Sequence, residues 1–325
     1  MNKYVKKGLC LALAVGMIAT SFAGCKKVNY VTNGAIEAIH EIKTGDWQKT
    51  DDNADANSSE DVPVIDALTP GTYGGVEFNT LEDVAAFYKD AYDYTKTLTA
   101  EYIDGDGNTQ TWYKLLGDED MTIGDIMIDG ASNSLINNLV PGIAGGLFAK
   151  NTYGLVPCYN RNPEMDNNLE DDTRKNDHDF RTSAVTADDI LAANITDNGD
   201  GTIKMVIQPK AGSMSMRGDD SAGRFFEVLG DIGGVMGQID VLTFASGTVE
   251  ENVKVDYKGG TVTVKVDTAT KEILEADYNM VVNIAVNHAN VAVIKDKSAT
   301  LTITYTNHYP ASDDYLMKEK QIKRK

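Results

Sequence analysis

The sequence predicts an α+β fold in which helices cover a large antiparallel, curved sheet of long strands, similar to half of a barrel. From Leu274 to Val286, apolar side chains occupy alternate positions, and the positions between them are mostly Asn, Asp and Glu. The segment 299–306 alternates in the same way, with threonines as its polar members. Alternation of this kind indicates strands with one covered and one wet face. At about 3.3 Å per residue the first run would extend roughly 40 Å, which favours a wide, open sheet.

Further strands are predicted on both sides of short turn segments. Val, Val and Tyr alternate over 253–257, and three valines alternate over 262–266, with Lys258-Gly259-Gly260 between them. This arrangement predicts a hairpin with a glycine turn. Asp197-Asn198-Gly199-Asp200-Gly201 predicts a second turn, before a strand over 202–208.

Three segments predict the helices that cover the sheet. Thr80 and Asp83 have the spacing of a capping box and precede apolar residues at helical spacing, which predicts an amphipathic helix over about 80–95. The segments 131–149 and 221–239 also place apolar residues at helical spacing, but both are rich in glycine. They predict buried or cavity-covering helices that pack closely through glycine.

The first 25 residues have the pattern of a bacterial lipoprotein signal. Lys3, Lys6 and Lys7 precede fifteen uncharged residues, a stretch too short to span a bilayer as a helix. The segment closes on Phe22-Ala23-Gly24-Cys25, which resembles the lipobox of bacterial lipoproteins. That resemblance implies cleavage before Cys25 and acylation of its thiol. The alternative is an ordinary secretion signal that is followed by a cysteine.

These patterns divide the chain into four parts. Residues 1–24 form the signal peptide, and residues 25–75 form a lipid-anchored tether with a short helix and an acidic linker. Residues 76–310 form the α+β domain, and residues 311–325 form a basic, solvated tail. We therefore expect an extracytoplasmic protein that is attached to the cell membrane through Cys25 and does not span it.

Composition excludes several classes of function. The formal net charge of −19 argues against binding nucleic acid, because neutralising phosphates requires a basic surface. Cysteines occur at positions 10, 25 and 158 alone, so the mature chain retains no pair for an internal disulfide. A hydrophobic fraction of 42% is sufficient for a packed core.

No motif indicates catalysis, a metal or a cofactor. The four histidines form no zinc motif, and the sequence contains neither a Walker loop nor a nucleophile elbow. Asp104-Gly105-Asp106-Gly107-Asn108 begins like a calcium loop, but Thr109 and Leu115 replace the glycine and glutamate that such a loop needs. A hairpin turn is the preferred interpretation. The acidic loop over 159–181 predicts a solvated surface, with weak calcium binding as its alternative.

The plan of a lipobox cysteine, a tether, helices and long strands with one apolar face resembles envelope lipoproteins of the LolA and LppX/LprG kind. The resemblance implies a non-catalytic protein that holds lipid or another hydrophobic ligand between sheet and helices. On this hypothesis the cavity is lined by Tyr278, Met280, Val282, Ile284, Val286, Leu301, Ile303 and Tyr305. The alternative is that the same residues form a filled core.

A second hypothesis is a cell-surface binding module. Its exposed sheet face or acidic loop would bind another envelope protein, a glycan or a wall polymer. An enzyme ranks third, because no carboxylate pair stands out in so acidic a chain. The two leading hypotheses differ in whether the apolar face encloses a cavity.

We expect Cys25→Ala to move the protein from the membrane fraction to the soluble fraction, because acylation of Cys25 is the anchor that the sequence predicts. Fractionation of cells followed by immunoblotting measures this. Cys158→Ala is the matched control and should stay in the membrane. Persistent membrane attachment of Cys25→Ala would contradict the lipobox interpretation.

Overall fold

The computed structural model describes residues 62–114, 116–132, 137, 154–157, 183–216, 218–228, 242–291 and 294–325. Cys25, Cys158 and the acidic loop over 159–181 lie outside the described residues. So do most of the two glycine-rich segments. The predictions made for these parts of the chain therefore remain predictions.

The described chain folds into strands with a few helices, as the sequence predicts. The helices are α1 (Leu81–Lys96), α2 (Ser221–Phe225), α3 (Val249–Asn252) and α4 (Asp313–Lys320), with a 3-10 turn at Ala187–Asp189. The first strands are β1 (Gly71–Tyr73), β2 (Val76–Phe78), β3 (Thr99–Ile103), β4 (Thr109–Tyr113), β5 (Asp118–Ile123), β6 (Met127–Ile128) and β7 (Ala131–Ser132). The remaining strands are β8 (Ile190–Asp197), β9 (Thr202–Pro209), β10 (Gly212–Ser213), β11 (Leu242–Phe244), β12 (Val253–Asp267), β13 (Ile273–Val291), β14 (Ile294–Tyr309) and β15 (Lys323–Arg324).

Ten of these strands form one open, antiparallel sheet, which confirms the predicted fold class. Its main path runs in the order β7-β6-β14-β13-β12-β9-β8. The three strands at its centre are the longest, with 15 residues in β12, 19 in β13 and 16 in β14. Such lengths far exceed the usual five or six residues, so the sheet offers two extended faces. The turns predicted at 104–108 and 197–201 are confirmed as the β3–β4 and β8–β9 hairpins.

The predicted glycine hairpin at 258–260 is wrong, because β12 continues through it as a single strand. Its pairing with β13 shifts register by one residue between Tyr257, opposite Val282, and Gly260, opposite Met280. This shift is a β-bulge, and it changes the phase of alternation. Odd-numbered side chains are buried before the bulge and even-numbered ones after it, so one face of β12 stays apolar throughout.

The predicted amphipathic helix is α1, and its beginning is fixed by the predicted capping box. The Thr80 side chain accepts a hydrogen bond from the Asp83 backbone N–H, and the Asp83 carboxylate accepts from the Thr80 backbone N–H. At its other end, the Thr95 hydroxyl accepts a hydrogen bond of 2.8 Å from the Ile273 backbone N–H. This contact joins the last turn of α1 to the first residue of β13.

Residues 311–325 do not form the solvated tail that the charge pattern predicts. They form α4 and the strand β15, which pairs with β3 at the edge of a separate three-stranded sheet. Leu316 and Ile322 are buried in a small core with Tyr102 and Trp112. The basic side chains of this segment are exposed or half-buried, while Leu316 and Ile322 between them are buried. The prediction of a solvated tail considered only the basic residues and is therefore wrong.

The folded domain also begins earlier than residue 76. The Gln208 side chain accepts a hydrogen bond from the Ile65 backbone N–H and donates one to the Pro63 carbonyl, which holds the segment 62–70 against β9. The hairpin of β1 and β2 follows directly. The part of the predicted tether from residue 62 onward therefore belongs to the domain. Similarly, residues 131–132, predicted as the start of a helix, form the strand β7.

We expect Gly260→Ala to lower the free energy of unfolding by about 2 to 4 kcal/mol. A Cβ atom at this position would lie 1.8 Å from the Asn279 carbonyl oxygen in the neighbouring strand. Urea denaturation followed by circular dichroism measures the change. Gly105→Ala is the matched control, since its nearest neighbour would be 3.7 Å away. Equal stability of both variants would contradict the bulge geometry.

Candidate binding face of the sheet

The register places the eight predicted cavity residues side by side on the inner face of the sheet. Ile284 pairs with Leu301, and Val282 pairs with Ile303. All eight side chains are at most 3% exposed and belong to one apolar cluster, namely Tyr278, Met280, Val282, Ile284, Val286, Leu301, Ile303 and Tyr305. We call this set the inner face. The structure brings together every residue that the sequence predicted for it.

Strands β12 and β9 continue this apolar surface beyond the eight residues of the inner face. Val255 of β12 lies opposite Ile284, and Val262 lies opposite Tyr278. On the next strand, Ile207 of β9 pairs with Val262. The sequence pattern did not place Val255 and Val262 on this surface, because the change of phase at the bulge resembles a turn. The signal was present, since valine alternation resumes immediately after Gly260.

Helix α1 closes the inner face at Tyr278. The hydroxyl oxygens of Tyr88 and Tyr278 lie 3.1 Å apart, so one donates a hydrogen bond to the other. The Tyr88 ring also packs against Tyr92 and Phe225, with ring centroids 5.9 and 5.5 Å away. Burial raises the pKa of both Tyr88 and Tyr278, because an ionised phenolate would lose its solvation there. The two phenols therefore stay neutral and hold the helix on the sheet.

Polar side chains border the inner face on the side of β5. Asn307 pairs with Glu119 across β14 and β5, and both side chains are buried, as is Glu227. Burial raises the pKa of the neighbouring Tyr305, and the negative charges of Glu119 and Glu227 raise it further. On β14, Asn307 lies between the buried residues Tyr305 and Tyr309, so these polar groups are enclosed by the apolar cluster.

Nothing among the described residues has the composition of a metal site. No three His, Cys, Asp or Glu side chains of these ranges are close enough together to share an ion. In the turn at 104–108, the Asp104 carboxylate accepts hydrogen bonds from the Asp106 and Asn108 backbone N–H groups and from the Gln110 side chain. These hydrogen bonds lower the pKa of Asp104 and use its oxygens within the hairpin.

Comparisons with family models, with curated proteins and with solved structures found no match to this chain. Among the described residues, no helix is both long and apolar enough to cross a bilayer. The assignment of function therefore depends on the chain's own chemistry.

We expect Tyr88→Phe to lower the free energy of unfolding by about 1 to 3 kcal/mol, because it leaves the buried Tyr278 hydroxyl without its described partner. The double variant Tyr88→Phe/Tyr278→Phe should recover part of this loss, since no buried hydroxyl is then left over. Denaturant unfolding of the four proteins in the cycle measures the coupling. Strictly additive effects would show that the two hydroxyls do not interact.

Proposed function

We propose that this protein is a non-catalytic, extracytoplasmic lipoprotein that is anchored through acylated Cys25. The support is the signal segment, in which basic residues, a short apolar stretch and Ala23-Gly24-Cys25 follow in the order of a lipobox. Two acyl chains on one cysteine are sufficient for stable attachment to a bilayer.

We further propose that the domain binds a lipid or another hydrophobic ligand against the inner face. The observation that carries this proposal is the length of uninterrupted apolar surface along β13. Every second residue from Ala276 to Val286 is buried and apolar, and at about 3.4 Å per residue this run extends roughly 34 Å. A bilayer core about 30 Å thick contains two acyl chains end to end, so one chain needs about half of this length.

The position of α1 favours one half of the inner face for the ligand. The tyrosine pair of Tyr88 and Tyr278 occupies one end, where helix and sheet are in direct contact. The other half, with Ile284, Val286 and Leu301, carries only aliphatic side chains. Such a surface interacts with an acyl chain through burial of apolar area, which requires no directional contacts.

Ile284→Trp tests this proposal because the larger side chain would fill the space that the ligand needs. We expect the purified variant to stay folded, with its free energy of unfolding within about 1 kcal/mol of the native value, and to carry little lipid. Lipid is measured by organic extraction of the purified protein followed by mass spectrometry, and stability by thermal unfolding.

The neighbouring variant Asn283→Lys is the matched control, since its side chain lies on the opposite face. It should retain both fold and lipid. Two results together would overturn the proposal, namely absence of co-purified lipid from the native protein and destabilisation by Ile284→Trp of more than about 3 kcal/mol, as expected for overpacking of a filled core.

A further inference from the structure

Strand β10 is followed by a methionine whose sulfur accepts a hydrogen bond that a backbone carbonyl would normally accept. The Met214 backbone N–H donates a hydrogen bond of 2.8 Å to the Val255 carbonyl, which continues the pairing of β10 with β12. In a regular antiparallel pair, the Val255 N–H would donate to the Met214 carbonyl in return. It donates instead to the thioether sulfur of Met214, over 3.4 Å.

The backbone conformation of Met214 accounts for this change of acceptor. Its φ of 53° lies in the left-handed region, where a residue cannot continue the pleat of a strand. Val255 is buried, so leaving its N–H without an acceptor would cost free energy. The end of this pairing therefore depends on a thioether, which is a weak acceptor.

Met214 lies between the apolar cluster and the chain that leads to α2. Its side chain is half-buried and packs against the cluster to which Val255 and its partner Ile284 belong. The next residue is tied to α2, because the Ser215 hydroxyl donates a hydrogen bond of 2.6 Å to the Asp220 carboxylate, which caps that helix. A chemical change at the Met214 sulfur is therefore placed to affect both β12 and the segment that carries α2.

We propose that Met214 is a redox-sensitive residue, and that oxidation of its sulfur by a peroxide detaches the end of β10 from β12. A sulfur lone pair attacks one peroxide oxygen, so an S–O bond forms while the O–O bond breaks. The sulfur loses two electrons, and the second peroxide oxygen takes them with a proton and leaves as water or an alcohol. The product is methionine sulfoxide, a polar side chain that reductases convert back to methionine. This proposal does not depend on a ligand at the inner face.

The geometry of the contact determines the effect of this oxidation. Sulfur and nitrogen are 3.4 Å apart, whereas an oxygen on the sulfur would need an O···N distance of about 2.9 Å in addition to the S–O bond. The added oxygen does not fit between the two atoms, so the sulfur must move away from Val255 or turn its oxygen elsewhere. In both cases the Val255 N–H loses its acceptor, and its exchange with solvent deuterium becomes faster.

Two exposed methionines provide internal comparisons. The side chains of Met216 and Met317 are 43% and 46% exposed, so we expect both to be oxidised before Met214. Both lie outside the sheets, so their oxidation should leave the pairing of β12 unchanged.

The test treats the purified full-length protein in detergent with hydrogen peroxide. Peptide mass spectrometry measures the sulfoxide at each methionine, and hydrogen exchange with residue resolution measures the protection of the Val255 amide. We expect oxidation of Met214 to speed exchange at Val255 by at least about tenfold. Lys254 and Asp256 are internal controls, because their N–H groups point toward β13 on the other side of the strand. Methionine sulfoxide reductases for both epimers should restore slow exchange.

Two variants separate Met214 from the other methionines. Met216→Leu should respond to peroxide as the native protein does. Met214→Leu cannot form a sulfoxide at this position, so its exchange at Val255 should be the same before and after peroxide, whatever its starting value.

Any one of three results would contradict the proposal. Met214 stays reduced under peroxide that fully oxidises Met216 and Met317, exchange at Val255 stays unchanged when Met214 is oxidised, or Met214→Leu shows the same acceleration as the native protein.

Discussion

Strand β13 is hydrogen-bonded along almost its whole length to β12 on one side and to β14 on the other, and the rest of the molecule depends on this double pairing. Because side chains alternate across a strand, a register error of one residue would move every apolar side chain of β13 to the wet face. The bulge at Tyr257/Gly260 meets this constraint by changing the phase of β12 at one defined point. The composition of the inner face and the contact of α1 with it both follow from the same register.

The sequence was informative about the fold wherever a pattern is local. Alternation from Leu274 onward and the capping residues Thr80 and Asp83 predicted β13 and α1 correctly, because period and capping are properties of neighbouring residues. A change of phase is ambiguous, since a hairpin turn and a bulge both contain glycine and both follow alternating apolar residues. The pairing partner on β13 decides between them, and that partner is not local.

For the candidate site, too, the sequence predicts what depends on local patterns and does not predict what depends on long-range contacts. The pattern placed all eight predicted residues on one face, and burial of these residues agrees with it. It could not show that Val255 and Ile207 belong to the same surface, since that depends on which strands become neighbours. It also could not show that Tyr88 of α1 meets Tyr278, because their contact joins residues 190 positions apart. Side-chain type and spacing predict a face, whereas tertiary contacts determine where that face is covered.

The ten-stranded and the three-stranded sheets also constrain the order in which the chain can fold. Strand β5 pairs with β14, where Thr306 and Asp120 are 186 residues apart, and β3 pairs with β15, next to a contact of Lys325 with Glu101 over 224 residues. Closing a loop of this length costs conformational entropy before the paired strands contribute any stabilisation. Such contacts therefore form late and slowly. Early strands thus complete their sheets only after β14 and β15 have left the ribosome.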